Sequence, residues 1–205
     1  MVDKKEGLLF VVSAPSGTGK TTLCRAMLQV FPDLQYSISY TTRPLRPGDQ
    51  EGRDYHFVSP AEFKKMIEHG DFAEWAEIYG HRYGTSRVFL NQVREKGLDV
   101  ILDIDGQGAR QLQEKGVTGV FIFLLPPSIG ELRRRLANRK TEGKKVLAER
   151  LREARREMAE AEWYDYWILN DDLKEAKEQL KGVILAERCR RERMAPMLEK
   201  ILAGP

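Results

Sequence analysis

The sequence predicts an α/β fold built on a parallel sheet, and three observations point to it. Continuous apolar runs recur at residues 8–12 (LLFVV), 99–103 (DVILD) and 120–125 (VFIFLL). None shows the alternation of a half-exposed strand, so each reads as a strand buried on both faces. Stretches of helical period separate these runs, and strands alternating with helices imply a parallel sheet covered on both sides. Between the first run and the first helix stands a turn of small residues at 14–19, the strand–turn–helix setting that a phosphate-binding loop requires.

Each element follows from its residues. After the turn, 21–31 reads as a helix with Leu23, Met27, Leu28 and Phe31 near helical spacing, stopped by Pro32-Asp33. From Tyr36 to about Val88 the texture changes. YSISYTTRP alternates and meets Pro44, and LRPGDQEGRD is a polar loop rich in Pro and Gly. Short strands are expected at 55–58, 72–78 and 82–84. A helix is expected from Ser59-Pro60 to about His69, with Glu62 at capping-box spacing from Ser59. This middle stretch is a small mixed insertion of antiparallel type, whose loops are free to carry ligand contacts. Helices follow at 86–96 and 106–116. Pro126-Pro127 breaks the chain after the third apolar run. Beyond it come a basic helix to about Arg139, a charged turn, a charged helix at 146–162, a short fourth strand at 167–169 and a closing helix at 173–202.

Composition limits the function classes. The chain has 205 residues, 41% hydrophobic and 32% charged, a globular composition of one domain or one domain with insertions. Its 34 Lys and Arg nearly balance 31 Asp and Glu, leaving +3, which argues against a dedicated nucleic-acid binder. Cys24 and Cys189 stand far apart with no CxxC or His-rich neighbourhood, so neither a zinc site nor a disulfide framework is expected, and a reduced cytoplasmic location is the default. No apolar run approaches the roughly 18–20 residues that cross a bilayer, and the N-terminal run reads as a strand rather than a leader.

Ala14-Pro15-Ser16-Gly17-Thr18-Gly19-Lys20-Thr21 fits GxxxxGK[ST] except for Ala at its first position. Gly17 and Gly19 let backbone N–H groups turn inward around a phosphate. Lys20 is placed to reach the transferred phosphate, and the Thr21 hydroxyl to ligate a Mg²⁺ bridging the same phosphates. The N-terminus of the following helix, with Thr22, adds favourable partial positive charge. Asp103, ending the second apolar run, is a natural acid near that Mg²⁺. The expected cofactor is Mg²⁺, and the loop by itself says only that a nucleotide binds.

The rest of the chain resembles the guanylate kinase family of P-loop nucleoside-monophosphate kinases. SAPSGTGKTT resembles that family's P-loop, SISYTTRPLRPGDQEGRDYHFVS its segment for the nucleoside monophosphate, and EWAEIYGHRYGTS its guanine pocket. ILDIDGQGA, PPSIGELRRRLANR and LNDDL are also family-like, and the resemblance spans about residues 7–188. It implies a P-loop NTPase fold in one domain, with a core of 7–36, 88–127 and 163–205, a GMP-binding region of 37–87 and a lid of 128–162.

It also implies roles for particular residues. Ser39, Arg43, Arg46 and Tyr55 match the residues for the GMP phosphate, and guanidinium forks suit a dianionic phosphate. Glu74 and Thr85 match the guanine-reading pair. A carboxylate accepts from guanine N1–H and N2–H₂ together and a hydroxyl donates to O6, whereas adenine would leave the carboxylate unpaired. Tyr83 matches a tyrosine near the same phosphate, and Asp105 an aspartate on the substrate side. Arg139 and Arg150 match lid arginines that act with Lys20 and Arg43 on the transferring phosphoryl group. Arg135 and Asn170 are expected against ATP, whereas Arg53, Arg133, Arg134, Arg152, Arg155 and Arg156 read as solvated.

The reading is thus a guanylate kinase-like enzyme transferring the γ-phosphoryl of ATP to GMP, and to dGMP, in purine nucleotide metabolism. Its partners are small molecules, with neither a nucleic-acid polymer nor a membrane, and oligomeric state stays open. A phosphopeptide-binding module of related fold is the alternative. It is disfavoured because such modules degrade the P-loop and lid residues that this chain retains. Charge placement agrees. Between residues 131 and 160 stand eleven Lys/Arg and six Glu, a local excess of five that exceeds that of the whole chain.

Overall fold

The computed structural model describes residues 6–137 and 144–204. Its core is a five-stranded parallel sheet in the order β2-β7-β1-β8-β9. The strands are β1 (Leu9–Ser13), β2 (Gln35–Tyr36), β7 (Val100–Asp103), β8 (Val120–Leu125) and β9 (Tyr166–Leu169). β1 is buried along its whole length because it is central. Phe10 and Val12 point to one face, where they pack on Leu23 and Met27 of α1 (Lys20–Val30) and on Leu180 and Ile184 of α7 (Leu173–Arg188). Leu9 and Val11 point to the other face and meet Leu90 of α3 (Arg87–Glu95) and Leu112 of α4 (Gly106–Glu114). Two covered faces explain why these strands read as unbroken apolar runs.

The insertion is a second, mixed sheet ordered β4-β3-β6-β5. It comprises β3 (Tyr40–Thr41), β4 (His56–Phe57), β5 (Phe72–Ile78) and β6 (His81–Ser86). The β3–β6 and β5–β6 pairs are antiparallel and β3–β4 is parallel. α2 (Pro60–Glu68) packs beside it and starts as its residues dictate, with Pro60 in the first turn and Ser59 Oγ accepting from the Glu62 N–H. α5 (Ile129–Ala137) and α6 (Lys144–Ala159) form the lid side. Leu132, Leu136 and Ala154 make a small apolar cluster between them.

Three expectations are corrected. The core sheet has five strands rather than four, because Gln35–Tyr36 adds a two-residue edge to β7. A run that short carries no periodicity to read. The charged helix at 146–162 ends at Ala159 and is followed by a 3₁₀ turn at Ala161–Trp163. The closing helix is two helices, α7 and α8 (Arg191–Ala203), divided at Cys189 and Arg190. Arg190 turns extended and its guanidinium folds back on buried Glu187 at 2.7 Å. Both halves keep helical spacing, so the break left no mark on the pattern.

The parallel register decides where the site lies. Val12 stands beside Asp103 and also beside Ile122, and Leu125 beside Leu169. The carboxyl ends of β1, β7, β8 and β9 therefore share one edge, where open parallel sheets carry ligands.

Candidate active site

The phosphate loop leaves that edge between β1 and α1. Gly17 and Gly19 have φ of 89° and 97°, which glycine alone adopts without strain. Ala14 is buried at negative φ, since Tyr79 is the one non-glycine with positive φ among the described residues. Alanine therefore serves at the first motif position. The loop is braced from beneath by Asn170, at the end of β9, whose side-chain amide donates to the Thr18 carbonyl at 2.6 Å. A β-carbon on Gly19 would stand 2.8 Å from that amide nitrogen, so the glycine also makes room for the brace.

Lys20, the first residue of α1, turns back onto the end of β7. Its ammonium lies 3.1 Å from Asp103 Oδ1 and donates to the Ile104 carbonyl. Burial alone would lower its pKa, but Asp103 and Asp105 outweigh burial and raise it. The other Asp103 oxygen accepts from the Tyr36 hydroxyl at 3.1 Å. Thr21, Ser39, Tyr55 and Asp103 line one cavity of about 80 Å³, with Arg25, Tyr36, Asp49 and Asp54. Four residues expected from sequence are thus brought together from both sheets. All the metal candidates there are oxygen donors, which suits a hard cation such as Mg²⁺.

Arg43 is buried, with its guanidinium 2.9 Å from Asp49 and 5.2 Å from the centre of the Tyr55 ring. Tyr83 packs edge-on against Tyr55, with ring centroids 5.7 Å apart. Arg46 differs: its backbone N–H binds Asp49, while the residue is exposed and does not line the cavity. Arg25 bonds Asp54 at 2.7 Å, tying α1 to the insertion and holding that carboxyl down at about 2.

Glu74 and Thr85 are cross-strand neighbours on β5 and β6. Both are buried, and the Thr85 hydroxyl donates to Glu74 Oε1. Glu74 Oε2 faces the first turn of α4, where a β-carbon on Gly108 would stand 2.3 Å from it. Asp105 caps that helix, accepting from the Gly108 N–H at 2.8 Å. Desolvation pushes the Glu74 carboxyl up to about 7, against the Thr85 bond and with the help of Asp105. A buried carboxylate beside a hydroxyl, at a helix N-terminus, is a polar reader poised for a ligand that offers donors.

On the lid side Arg150 lies 3.5 Å from Ser16 Oγ of the phosphate loop and its guanidinium sits over the Tyr79 ring at 4.7 Å. Arg135 bonds Glu131 and donates to the Asn170 carbonyl at 3.1 Å. Arg139 lies outside the described residues. Pro15 and Thr18 are buried, while Ser16, Thr21 and Thr22 are exposed at the loop mouth. Arg133, Arg134, Arg152, Arg155 and Arg156 are exposed. Sequence reasoning passed over Asp49, Asp54 and Arg25, which lie in polar loop or helix contexts with no pattern of their own. It passed over Glu157 too, one of six glutamates in a charged stretch.

Comparison with known proteins gives one answer. The guanylate kinase family model matches residues 6–187. A guanylate kinase of Geobacter sulfurreducens is 52% identical over 200 residues, covering 98% of each chain. Another, of Syntrophotalea carbinolica, is 54% identical over 191 residues, 93% of this chain and 91% of that one. The crystal structure of guanylate kinase from Anaplasma phagocytophilum matches with a TM-score of 0.77 at 34% identity, over 92% of this chain and 90% of that one.

Proposed function

The chain belongs to the guanylate kinase family, is accordingly an enzyme that transfers a phosphoryl group from ATP to GMP, and we propose that it does so through the residues assembled at the carboxyl edge of its parallel sheet. The observation that carries the assignment is the buried Glu74–Thr85 pair. Its carboxylate accepts from guanine N1–H and N2–H₂, and the Thr85 hydroxyl rotates to donate to O6. Adenine, with an acceptor at N1, leaves the carboxylate unsatisfied in a buried site, which is how polar pockets reject the wrong base strongly. The pair touches no group that distinguishes a ribose from a deoxyribose, so dGMP is accepted as well.

The phosphate of GMP is held by Ser39, Arg43, Arg46 and Tyr55, with Tyr83 supporting Tyr55. Arg43 is already oriented by its ring contacts, and the substrate phosphate takes over its charge from Asp49. Residues 14–22 cradle the ATP phosphates, and Arg135 and Asn170 shape the adenine side. Lys20, Arg43, Arg139 and Arg150 neutralise the charge that spreads over the transferring group. The acceptor is an ionised phosphate oxygen, so the residues need no general base. Their work is alignment, charge neutralisation and exclusion of water by closure of the insertion (37–87) and the lid (128–162) over the core.

Thr21 and Asp103 are the residues that would hold Mg²⁺. Among the described residues no cluster of three His, Cys, Asp or Glu would bind a metal by itself. When bound, the ion would supply positive charge against the nucleotide phosphates. No helix among the described residues is long and apolar enough to cross a membrane. A cytoplasmic role in purine nucleotide metabolism fits a kinase that uses free nucleotides.

The test is ADP release from ATP with GMP, dGMP, AMP, CMP and UMP in turn. Turnover with GMP and dGMP that exceeds the other three by at least about a hundredfold is expected. AMP or UMP as good as GMP would sink the guanine assignment.

A further inference from the structure

One half-buried glutamate at this edge, with one carboxylate oxygen fully buried, has no part in the roles above. Glu157 lies on α6, seven residues beyond Arg150, and so on the same helix face two turns on. That face is turned inward: Arg150 reaches the phosphate loop, and Ala154 between them is buried against α5. Glu157 reaches the head of α4, with its Cγ 3.8 Å from where a β-carbon on Gly106 would stand. Its Oε2 is buried and accepts no hydrogen bond among the described residues.

The groups around it come from several elements. Lys20 on α1, Asp105 at the cap of α4, and Glu153 and Arg156 on its own helix lie within electrostatic reach of it. Tyr164, after the 3₁₀ turn, lines the same cavity as Glu157 and lies within electrostatic reach of Asp105. Arg110 and Glu160 line the same cavity of about 290 Å³. The Tyr164 hydroxyl is buried and lies beside the Ser13 hydroxyl. A carboxylate in such surroundings destabilises the fold, and glutamine would fill the same space without a buried charge. Glutamate at this position therefore needs a reason in the reaction.

We propose that Glu157 is a positioning residue for phosphoryl transfer, carrying the seating of the lid-side helix to the phosphate loop through Lys20 and to the guanine-reading end through Asp105. Ionised Glu157 attracts the Lys20 ammonium and repels the Asp105 carboxylate, which keeps Asp105 turned into its cap on Gly108. Because α6 also carries Arg150, one helix sets both ends of the site when it closes. Desolvation first, then Asp105 and Glu153, push the Glu157 carboxyl up to about 7, against Lys20 and Arg156. The acting charge is then lost as pH falls below neutrality.

The inference rests on the phosphotransferase reading, and kinetics of the full chain test it between about pH 5.5 and 8.5, at saturating ATP and GMP. Glu157→Gln is expected to lower kcat about tenfold or more at pH 8 and to leave both KM values within about threefold. It should also lose the fall in kcat that the wild type shows below about pH 7. Its thermal midpoint should equal or exceed the wild type's. Glu157→Asp, which keeps the charge, should keep the pH dependence and recover most of kcat. An unaffected Glu157→Gln enzyme overturns this inference alone. So does a loss that keeps the pH dependence, or one that Glu157→Asp fails to rescue. Absence of GMP turnover by the wild type overturns the phosphotransferase reading and this inference with it.

Discussion

Lys20 and Glu74 place one charge each at opposite ends of the site, and each makes a prediction. Lys20 is anchored by Asp103 at the end of β7 and by the Ile104 carbonyl just beyond it. Lys20→Ala should abolish turnover while calorimetry still detects GMP. Turnover near the wild-type rate would show that the loop does not act on the transferred phosphate. Glu74 must be ionised to accept from guanine, and its carboxyl stands at about 7. KM for GMP should rise as pH falls below about 7 while KM for ATP holds, and Glu74→Gln should raise KM for GMP and abolish that dependence. The same shift acts on stability. The folded state holds the Glu74 proton over a window from 4.5 up to about 7 in which the unfolded state has released it. Stability therefore falls as pH rises through that window, by on the order of 3 kcal/mol from this group. Chemical denaturation at pH 5 and 8 should show a smaller fall in Glu74→Gln; an equal fall would place its cause elsewhere.

Elements were legible where their residues face two ways at once. β8 was read to the residue, because a strand covered on both sides leaves an unbroken apolar run bounded by Gly119 and Pro126. α2 was legible from Ser59, Pro60 and Glu62, whose capping chemistry is local. The phosphate loop was legible because its glycines answer to backbone angles. β2 and the α7–α8 break were not, since tertiary pairing and the Glu187–Arg190 contact decide them. Nor was the contact between α4 and β5, which depends on a glycine inside a helix. Gly108 lets the first turn of α4 close on Glu74 Oε2, at a distance where a β-carbon would stand 2.3 Å away. Gly108→Ala adds little strain to a helix by itself, yet it must move either α4 or the carboxylate. KM for GMP should rise at least about tenfold with KM for ATP nearly unchanged; a wild-type KM for GMP would mean that the carboxylate does not hold this position when the base binds.

At the scale of the whole molecule, the basic excess of the lid is partly spent within it. Arg134 and Arg135 pair with Glu131, and Arg156 with Glu153 and Glu160, whereas Arg150 is directed at the loop. The opposite end contributes little: α8 buries no residue, and the family match stops at residue 187. Deleting residues 191–205 should leave kcat within about twofold and shift the thermal midpoint by no more than about 4 °C. A large loss would assign α8 a role in the fold. The Asn170 brace has a consequence in time. Its bond to the Thr18 carbonyl spans 152 residues, and β1 gains its neighbours only when residues 100–103 and 120–123 exist. On the ribosome the phosphate loop is made long before β9, and it has no floor until synthesis has passed Asn170. Such long-range closure folds slowly, so nucleotide capture marks the end of this protein's folding, and a nascent chain halted before β9 should be unable to retain ATP.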